Sequence, residues 1–586
     1  MTQTQTHPET FRREPPAPLA PRPMNLPVPV ETTLDNGLRI IFVENSRLPL
    51  VSFRLAFRTG DAHDPPHLPG LTDLLTGMLN EGTETRTSRQ IADGVARIGA
   101  TLGAGASSDY TTVAASSLSQ FEGEILELMA DVCLRPSFPA DELELTKQNA
   151  LQNLIAQRGQ PSFLANEQLA RVIYGEHPYS RISATPESIT AMTRDDLINF
   201  HRRVMIPNNA VLVVGGDFKR EEMHARIEKL FGAWQPGEAQ LSEFPAPPRR
   251  TQRTLYLVDR PDSAQSNIVI ANLALTRTDP DYFPLLVMHT ILGANASSRV
   301  FMNLREDKGY TYGAYTNLDA RRTAGTFRAT AEVRTPVTGD SLKEFFYELG
   351  RIRDEVVSEK ELDDARSYLT GIFPIRLETL DGLIDQLLQI KMFDLPDGYL
   401  HTYRERVSAV TRAEVQRVAR RYITPDQTAI VIVGDAGALR EQVAGYADEI
   451  EIYDNAGRRK EALAQKAETN MDGRDMSNTT GDSAGLTGTW QLEITSPLGP
   501  QTATLVVDAA GDDTLRGTLR SSYGEAQIDT IAFNGEIFNA SLALKIQGMS
   551  IQADIAGHRE GDNLSGTIKS NMPVPPLMFT GRKISQ

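Results

Sequence analysis

The side chains of this 586-residue chain that are able to do chemistry are few and scattered. His63 and His67 flank Pro65 and Pro66 and invite a metal, but a loop placement favours solvated imidazoles. His177, before Pro178, has no second ligand at helical spacing and reads as structural. The single cysteine, Cys133, lies among apolar residues and reads as a small buried hydrophobe. One cysteine excludes an intrachain disulfide and a cysteine-based zinc site. Residues 293–298 lack the Lys-Ser/Thr ending of a phosphate-binding loop. Within residues 69–83, Asp73 offers one carboxylate, Thr76 cannot act as a base near neutrality and Gly77 offers nothing. Arg305 and Tyr312 are hydrogen-bond donors; taken alone, they favour an ion pair on a helix end and packing in a strand.

The elements that must hold these residues follow from turns and periodicity. Residues 31–44 read as a hairpin turning at Asn36-Gly37, and residues 51–57 as a further strand. Residues 71–79 form a helix. A second spans 89–98, with Ser88 as its N-cap and Ile91, Val95 and Ile98 on one face. A strand over 110–116 precedes two helices with apolar faces, 121–133 and 140–156, and a helix over 194–204. Thr193-Arg194 with Asp196-Leu197, then Pro207 and a β-run ending in Asp217, recurs at constant offset. Its second copy is Thr411-Arg412 with Glu414-Val415, then Pro425 and a β-run ending in Asp435. That self-similarity means two tandem α+β modules of about 200 residues each.

Composition sets the outer bounds. Apolar content of 40% and charged content of 23% are ordinary for a globular protein. A net charge of -16 reads as a solvated acidic surface and argues against nucleic acid as a partner. No run is long and apolar enough for a membrane span. The N-terminus lacks the apolar region of a signal peptide, which makes the chain as given look cytoplasmic. The expected division is a disordered arm (1–28), a first module (29–235), a proline-marked linker (236–250) and a second module (251–454). A linker rich in charge, Gly, Ser and Thr (455–485) and an all-β domain (486–586) follow. That last domain has short alternating strands such as 488–494 and 503–507, and 511–518 is echoed by 561–567. It is a small sandwich or barrel with no catalytic constellation. The fold class is α+β: two homologous α/β modules followed by a small all-β domain.

Gly70, Leu71, Met78, Leu79, Gly82 and Thr83 form the frame that surrounds an inverted zinc-peptidase motif, His-x-x-Glu-His. Gly175-Glu-His-Pro-Tyr179, Gln265 with Ser266-Asn267-Ile268, Leu292-Gly293 and Ser297-Ser298-Arg299-Val300-Phe301 follow in order. Leu304-Arg305-Glu306 and Gly309-Tyr310-Thr311-Tyr312 complete the set. With these markers the chain resembles the pitrilysin-like zinc peptidases over about residues 29–454, most closely their shorter two-module members. The resemblance implies a zinc held by two His and a distal Glu, and it puts those His positions at Asp73 and Gly77. The catalytic Glu falls at Thr76 and the distal Glu near Asn153. Catalytic zinc takes about three protein ligands and a water, so all four positions fail. The resemblance also implies that an Arg and a Tyr seven residues later reach the substrate, and these match Arg305 and Tyr312. Residues 293–298 resemble the family's glycine-rich loop but are poorer in glycine.

The reading is therefore a non-catalytic, substrate-binding subunit of a heterodimeric zinc metallopeptidase. This chain carries no cofactor; zinc is expected in a homologous partner bearing His-x-x-Glu-His. Extended peptides are the expected substrates, bound by strand addition. The alternatives are a non-enzymatic scaffold of the same fold, or a peptide-capturing homodimer targeted by the β domain.

Overall fold

The computed structural model describes residues 24–239, 243–460, 486–496, 499–509, 515–521, 524–533, 537–546, 549–570 and 577–585. Of the arm expected over 1–28, residues 1–23 lie outside that set. Met24 and Leu26 are described, and both pack against the core of the second module. Residues 461–485 of the linker expected over 455–485, residues 240–242 of the earlier one and part of the 511–518 turn also lie outside.

The first module begins as the Asn36-Gly37 turn requires. Gly37 takes a positive φ of 89°, and β1 (Val30–Thr33) pairs antiparallel with β2 (Arg39–Glu44). Asn36 Nδ2 donates to the carbonyls of Phe231 at 2.7 Å and Trp234 at 3.0 Å, tying the turn to the end of a helix. β3 (Leu50–Phe57), β4 (Thr101–Ala106), β5 (Thr111–Leu118) and β6 (Ala210–Gly216) complete a sheet ordered β1-β2-β6-β3-β5-β4. β6 is buried along its whole length and is the strand around which the sheet is laid. β2 runs parallel to it, β3 antiparallel.

The second module repeats the plan with β7 (Thr254–Asp259), β8 (Gln265–Ala274), β9 (Thr311–Asp319), β10 (Gly325–Arg334), β11 (Ala429–Gly434) and β12 (Glu449–Tyr453). Their order is β12-β7-β11-β8-β10-β9. Five strands occupy the places of β2, β6, β3, β5 and β4. The outermost differs: β1 precedes its sheet and is antiparallel to β2, whereas β12 comes from the chain's far side and is parallel to β7. The repeated helices, Arg194–Val204 and Arg412–Tyr422, both start at a threonine whose hydroxyl accepts from the backbone three residues on, a capping box in each case.

The five helices of the first module that frame its site are α1 (Leu71–Met78), α2 (Ser88–Arg97), α3 (Glu122–Leu134), α4 (Ala140–Arg158) and α5 (Pro161–Tyr174). The N-cap of α2 is Thr87, not Ser88: its hydroxyl accepts from Gln90 N while Gln90 returns a bond to the Thr87 backbone. An apolar face is expected on α4, but only Leu143 and Leu154 are buried along it, and Leu145 and Ile155 stand 53% and 66% exposed. β4 and α5 carry no clear signal in the sequence. In β4 the alternation is between glycine and small residues, which removes the hydrophobic period.

The two modules exchange helices. α5 packs on β7, β8 and β11 of the second sheet, where Leu164, Ala165, Leu169 and Ile173 meet Tyr256, Val269 and Val431. In return the helix Leu380–Met392 packs on β3 and β6, where Leu383, Ile384 and Leu387 meet Ala56, Val211 and Val213. Arg54 of β3 pairs with Asp381 at 2.8 Å and Asp385 at 3.0 Å on that helix. Each sheet therefore depends on a helix from the other module for its cover, and the pair form one compact unit.

The C-terminal unit is a closed antiparallel barrel, which decides between the two all-β alternatives. Its strands are β13 (Gly488–Ser496), β14 (Gly499–Ala509), β15 (Leu515–Ser521), β16 (Gly524–Phe533), β17 (Ile537–Ile546), β18 (Met549–Glu560), β19 (Asn563–Ser570) and β20 (Leu577–Ser585). Each pairs with the next, and β20 closes on β13. Side chains fill its interior. A Cβ on Gly557 would lie 2.6 Å from the Phe538 ring, so that glycine makes room for the aromatic; one on Gly566 would lie 2.2 Å from the Ala556 carbonyl oxygen, so that glycine lets the β18 backbone approach. Trp490 is fully buried and donates from Nε1 to the Leu486 carbonyl at 3.0 Å.

Candidate functional site

α1 starts where Gly70 enters the left-handed region at φ 91°. Asp64 caps it from upstream. Its carboxylate accepts from Gly70 N at 2.8 Å, Thr72 N at 3.0 Å and the Thr72 hydroxyl at 2.5 Å. Burial nonetheless pushes this carboxyl up to about 7 against the pull of those donors. Leu71, Leu74, Leu75 and Met78 turn into the core, which leaves Asp73 and Gly77 one turn apart on the open face. Thr76 is buried and its hydroxyl donates to the Asp73 carbonyl at 3.0 Å. α1 packs against α4, on which Asn153 is exposed. The two helices that would present metal ligands are thus adjacent.

The residues on them do not fit zinc. Asp73 is the one carboxylate at these positions; it lies on the open face of α1, and desolvation by its surroundings raises its pKa above the ordinary value, while Gly77 has no side chain and Asn153 offers only an amide oxygen. Asp61, on a one-turn helix after β3, is pushed up to about 6, first by burial and then by the charge of Asp73. Among the described residues no three His, Cys, Asp or Glu side chains come together as a metal set. His63 departs from the solvated histidine expected of it. It is partly buried, its ring lies 5.1 Å from Phe244, and burial lowers its pKa to about 4. His67 is exposed. His177 is buried: Nδ1 accepts from Tyr179 N at 3.1 Å, and Nε2 lies 3.0 Å from the Thr323 hydroxyl across the module boundary. Cys133 is fully buried and free, with its thiol pushed well up by burial.

The second group of candidate residues is built on irregular backbone. The helix beginning at Arg299 widens into a six-residue π-helix, Met302–Asp307, and Arg305 is carried on it. Lys308 N donates back to Asn303 O at 3.0 Å, the five-residue reach that defines the wider turn. The Arg305 guanidinium sits 4.8 Å from the centroid of the Phe301 ring and 3.6 Å from Glu306, with 47% of its side chain exposed. The ion pair expected at a helix end is therefore present, yet it is long and open to water.

Tyr312 lies on β9, the edge strand of its sheet. Thr311 pairs with Val333 and Ala314 with Ala331, so Tyr312 and Gly313 together oppose the single residue Glu332. This is a β-bulge. The Thr311 hydroxyl secures it, accepting from Gly313 N at 3.1 Å and reaching Glu332 O at 2.7 Å. Tyr312 does not pack in the strand; it stands 92% exposed. The glycine-poor segment 293–298 leaves Gly293 against β9, where its carbonyl accepts from Thr316 N at 2.8 Å.

Comparison with known proteins matches two family models in tandem. One, described as insulinase (peptidase family M16), covers residues 39–187. The other, described as peptidase M16 inactive domain, covers residues 191–369. A Bacillus subtilis protein named an uncharacterized zinc protease, YmxG, is 23% identical over 411 residues, spanning 70% of this chain and 98% of that protein. A Helicobacter pylori protein named a non-peptidase homolog is 23% identical over 406 residues, 68% of this chain and 91% of that one. The crystal structure of a peptidase M16 inactive domain from Pseudomonas fluorescens aligns with a TM-score of 0.66 at 28% identity, covering 70% of this chain and 98% of that one.

Proposed function

The chain belongs to peptidase family M16, and from that premise we propose that it is the non-catalytic, substrate-binding subunit of a heterodimeric zinc metallopeptidase. One observation carries the reading. The metal and base positions have lost their chemistry at Asp73, Thr76, Gly77 and Asn153, while Arg305 and Tyr312 remain exposed on a π-helix and a β-bulge. Both irregularities interrupt regular hydrogen bonding and recur at functional sites. The existence of both zinc proteases and a non-peptidase homolog among the relatives supports a division of labour within the family.

In this reading zinc and its general base belong to a homologous partner chain carrying His-x-x-Glu-His. Arg305 and Tyr312 donate hydrogen bonds to the scissile carbonyl, or to the adjoining peptide backbone, as negative charge develops there. An extended peptide is held by strand addition. β4 is an edge strand, and an open groove of about 590 Å³ is lined by residues 101–107 with Thr112 and Ala114 of β5, which supports such a mode. No helix among the described residues is long and apolar enough to cross a membrane; a cytoplasmic site of action is part of the proposal. The non-peptidase relative favours a second reading, a scaffold or peptide-binding protein with no role in any rate.

The test is Arg305→Ala and Tyr312→Phe in the complex. Each variant lowers turnover by about a hundredfold, the effect of removing one donor to a developing oxyanion, while zinc content stays unchanged. Unaltered turnover in both variants removes the assigned role.

A further inference from the structure

The register of β9 brings a third residue to the face that carries Tyr312. In a regular strand, residues three apart point to opposite faces. Tyr312 and Tyr315 would then be separated, one outward and one into the core. The bulge at Tyr312-Gly313 adds one residue and restores a common face. Tyr315 pairs with Thr330, and the bulge opposes Glu332; these two β10 residues share a face, opposite to buried Ala331 and its partner Ala314. Tyr315 accordingly stands 43% exposed beside the 92% exposed Tyr312.

The Tyr315 ring is held in place rather than free. It packs 5.4 Å from the Phe301 ring, the same ring that carries the Arg305 guanidinium at 4.8 Å. It also lies over Gly313, where a Cβ would come within 2.6 Å of Tyr315 Cε2. The glycine of the bulge thus does two things: it lets the strand widen and it seats the aromatic ring. An immobilised ring with an open face provides contact area with little further ordering cost.

We infer that Tyr315 is a specificity-determining residue, an aromatic shelf that selects an apolar or aromatic side chain of the peptide lying beside Arg305 and Tyr312. The inference rests on the proposed peptide-binding role of that face. Phe301 acts as a positioning residue, since it touches both Tyr315 and Arg305 and stands between them.

The experiment uses the complex of this chain with a relative carrying His-x-x-Glu-His. Two unstructured peptides are compared that differ only in a leucine or a serine next to the scissile bond. The readout is the ratio of their kcat/KM values, which a general loss of folded protein leaves unmoved. Tyr315→Ser reduces the preference for the leucine peptide about tenfold, the low end of what one apolar contact supplies; Tyr315→Phe keeps it. An active complex whose preference is unchanged in Tyr315→Ser overturns this inference and leaves the subunit role intact. A wild-type complex that cleaves neither peptide overturns the subunit role, and this inference with it.

Discussion

Replacing Gly77 with alanine stabilises the protein. Gly77, which the resemblance puts at a metal-ligand position, sits inside α1 on its open face. It is not among the glycines with positive φ. A Cβ there would meet only Thr146 Cγ2 at 3.9 Å, an ordinary contact. Nothing in the fold holds this position to glycine, so the helix pays the full penalty of a flexible residue. That penalty is about 0.8–1 kcal/mol relative to alanine, and it shifts the folded-to-unfolded ratio by about fivefold. Equilibrium urea unfolding measures it cleanly in a Trp490→Phe background, where Trp234, packed on Phe57 and Phe231, reports on the first unit alone. Gly70→Ala is the internal contrast. Gly70 has φ 91° and a Cβ there would approach Ala184 Cβ to 2.5 Å, so this variant loses stability. If Gly77→Ala destabilises, the glycine answers a constraint in the fold, and the idea of a vacated ligand position is refuted.

Two further predictions concern the joint between the modules. The buried Tyr179 hydroxyl donates to Asp109 of the first module, and Asp109 also accepts from Arg322 N of the second at 3.1 Å. Tyr179→Phe therefore costs about 1.5–3 kcal/mol in urea unfolding, the range for a hydrogen bond to a charged group; a change under about 0.5 kcal/mol would mean that the joint does not depend on it. His177 is buried, and burial followed by the Arg321 charge lowers its pKa from 6.5 to about 4. The unfolded chain binds a proton at this residue between those values and the folded chain does not, so the histidine's contribution falls as pH drops through that window. Asp61 and Asp64, raised to about 6 and 7, act in the opposite sense, and a single profile mixes them. The difference between wild type and His177→Asn isolates the histidine: it narrows from pH 7 to pH 4, and a constant difference contradicts the shift.

Much of the fold is legible in the sequence because its signals are local. The Asn36-Gly37 turn makes its hairpin, and the Thr193 and Thr411 caps start their helices at Arg194 and Arg412. The duplication is visible because the same cap, helix and central strand recur at one offset. The residue types at positions 73, 76, 77 and 153 are legible too, since what a side chain can ligate is a question of residue type. The irregular features are not. The π-helix under Arg305 and the bulge under Tyr312 add single residues to regular periods, and packing on Phe301 and pairing across Glu332 decide where they fall. The exchange of α5 and Leu380–Met392 between sheets is invisible for a related reason: an apolar face does not say which module covers it. A loop placement favours a solvated His63, yet Phe244 packs against it from far along the chain.

The most direct test of the account measures zinc content and cleavage of a quenched, unstructured peptide. It compares this chain alone with its mixture with a co-expressed relative that keeps His-x-x-Glu-His. The account predicts no activity from the chain alone, and activity in the mixture that is abolished by a chelator. Zinc-dependent cleavage by the isolated chain would contradict the lost site. A stable, zinc-free assembly with no activity in either sample would contradict the split enzyme and leave the scaffold.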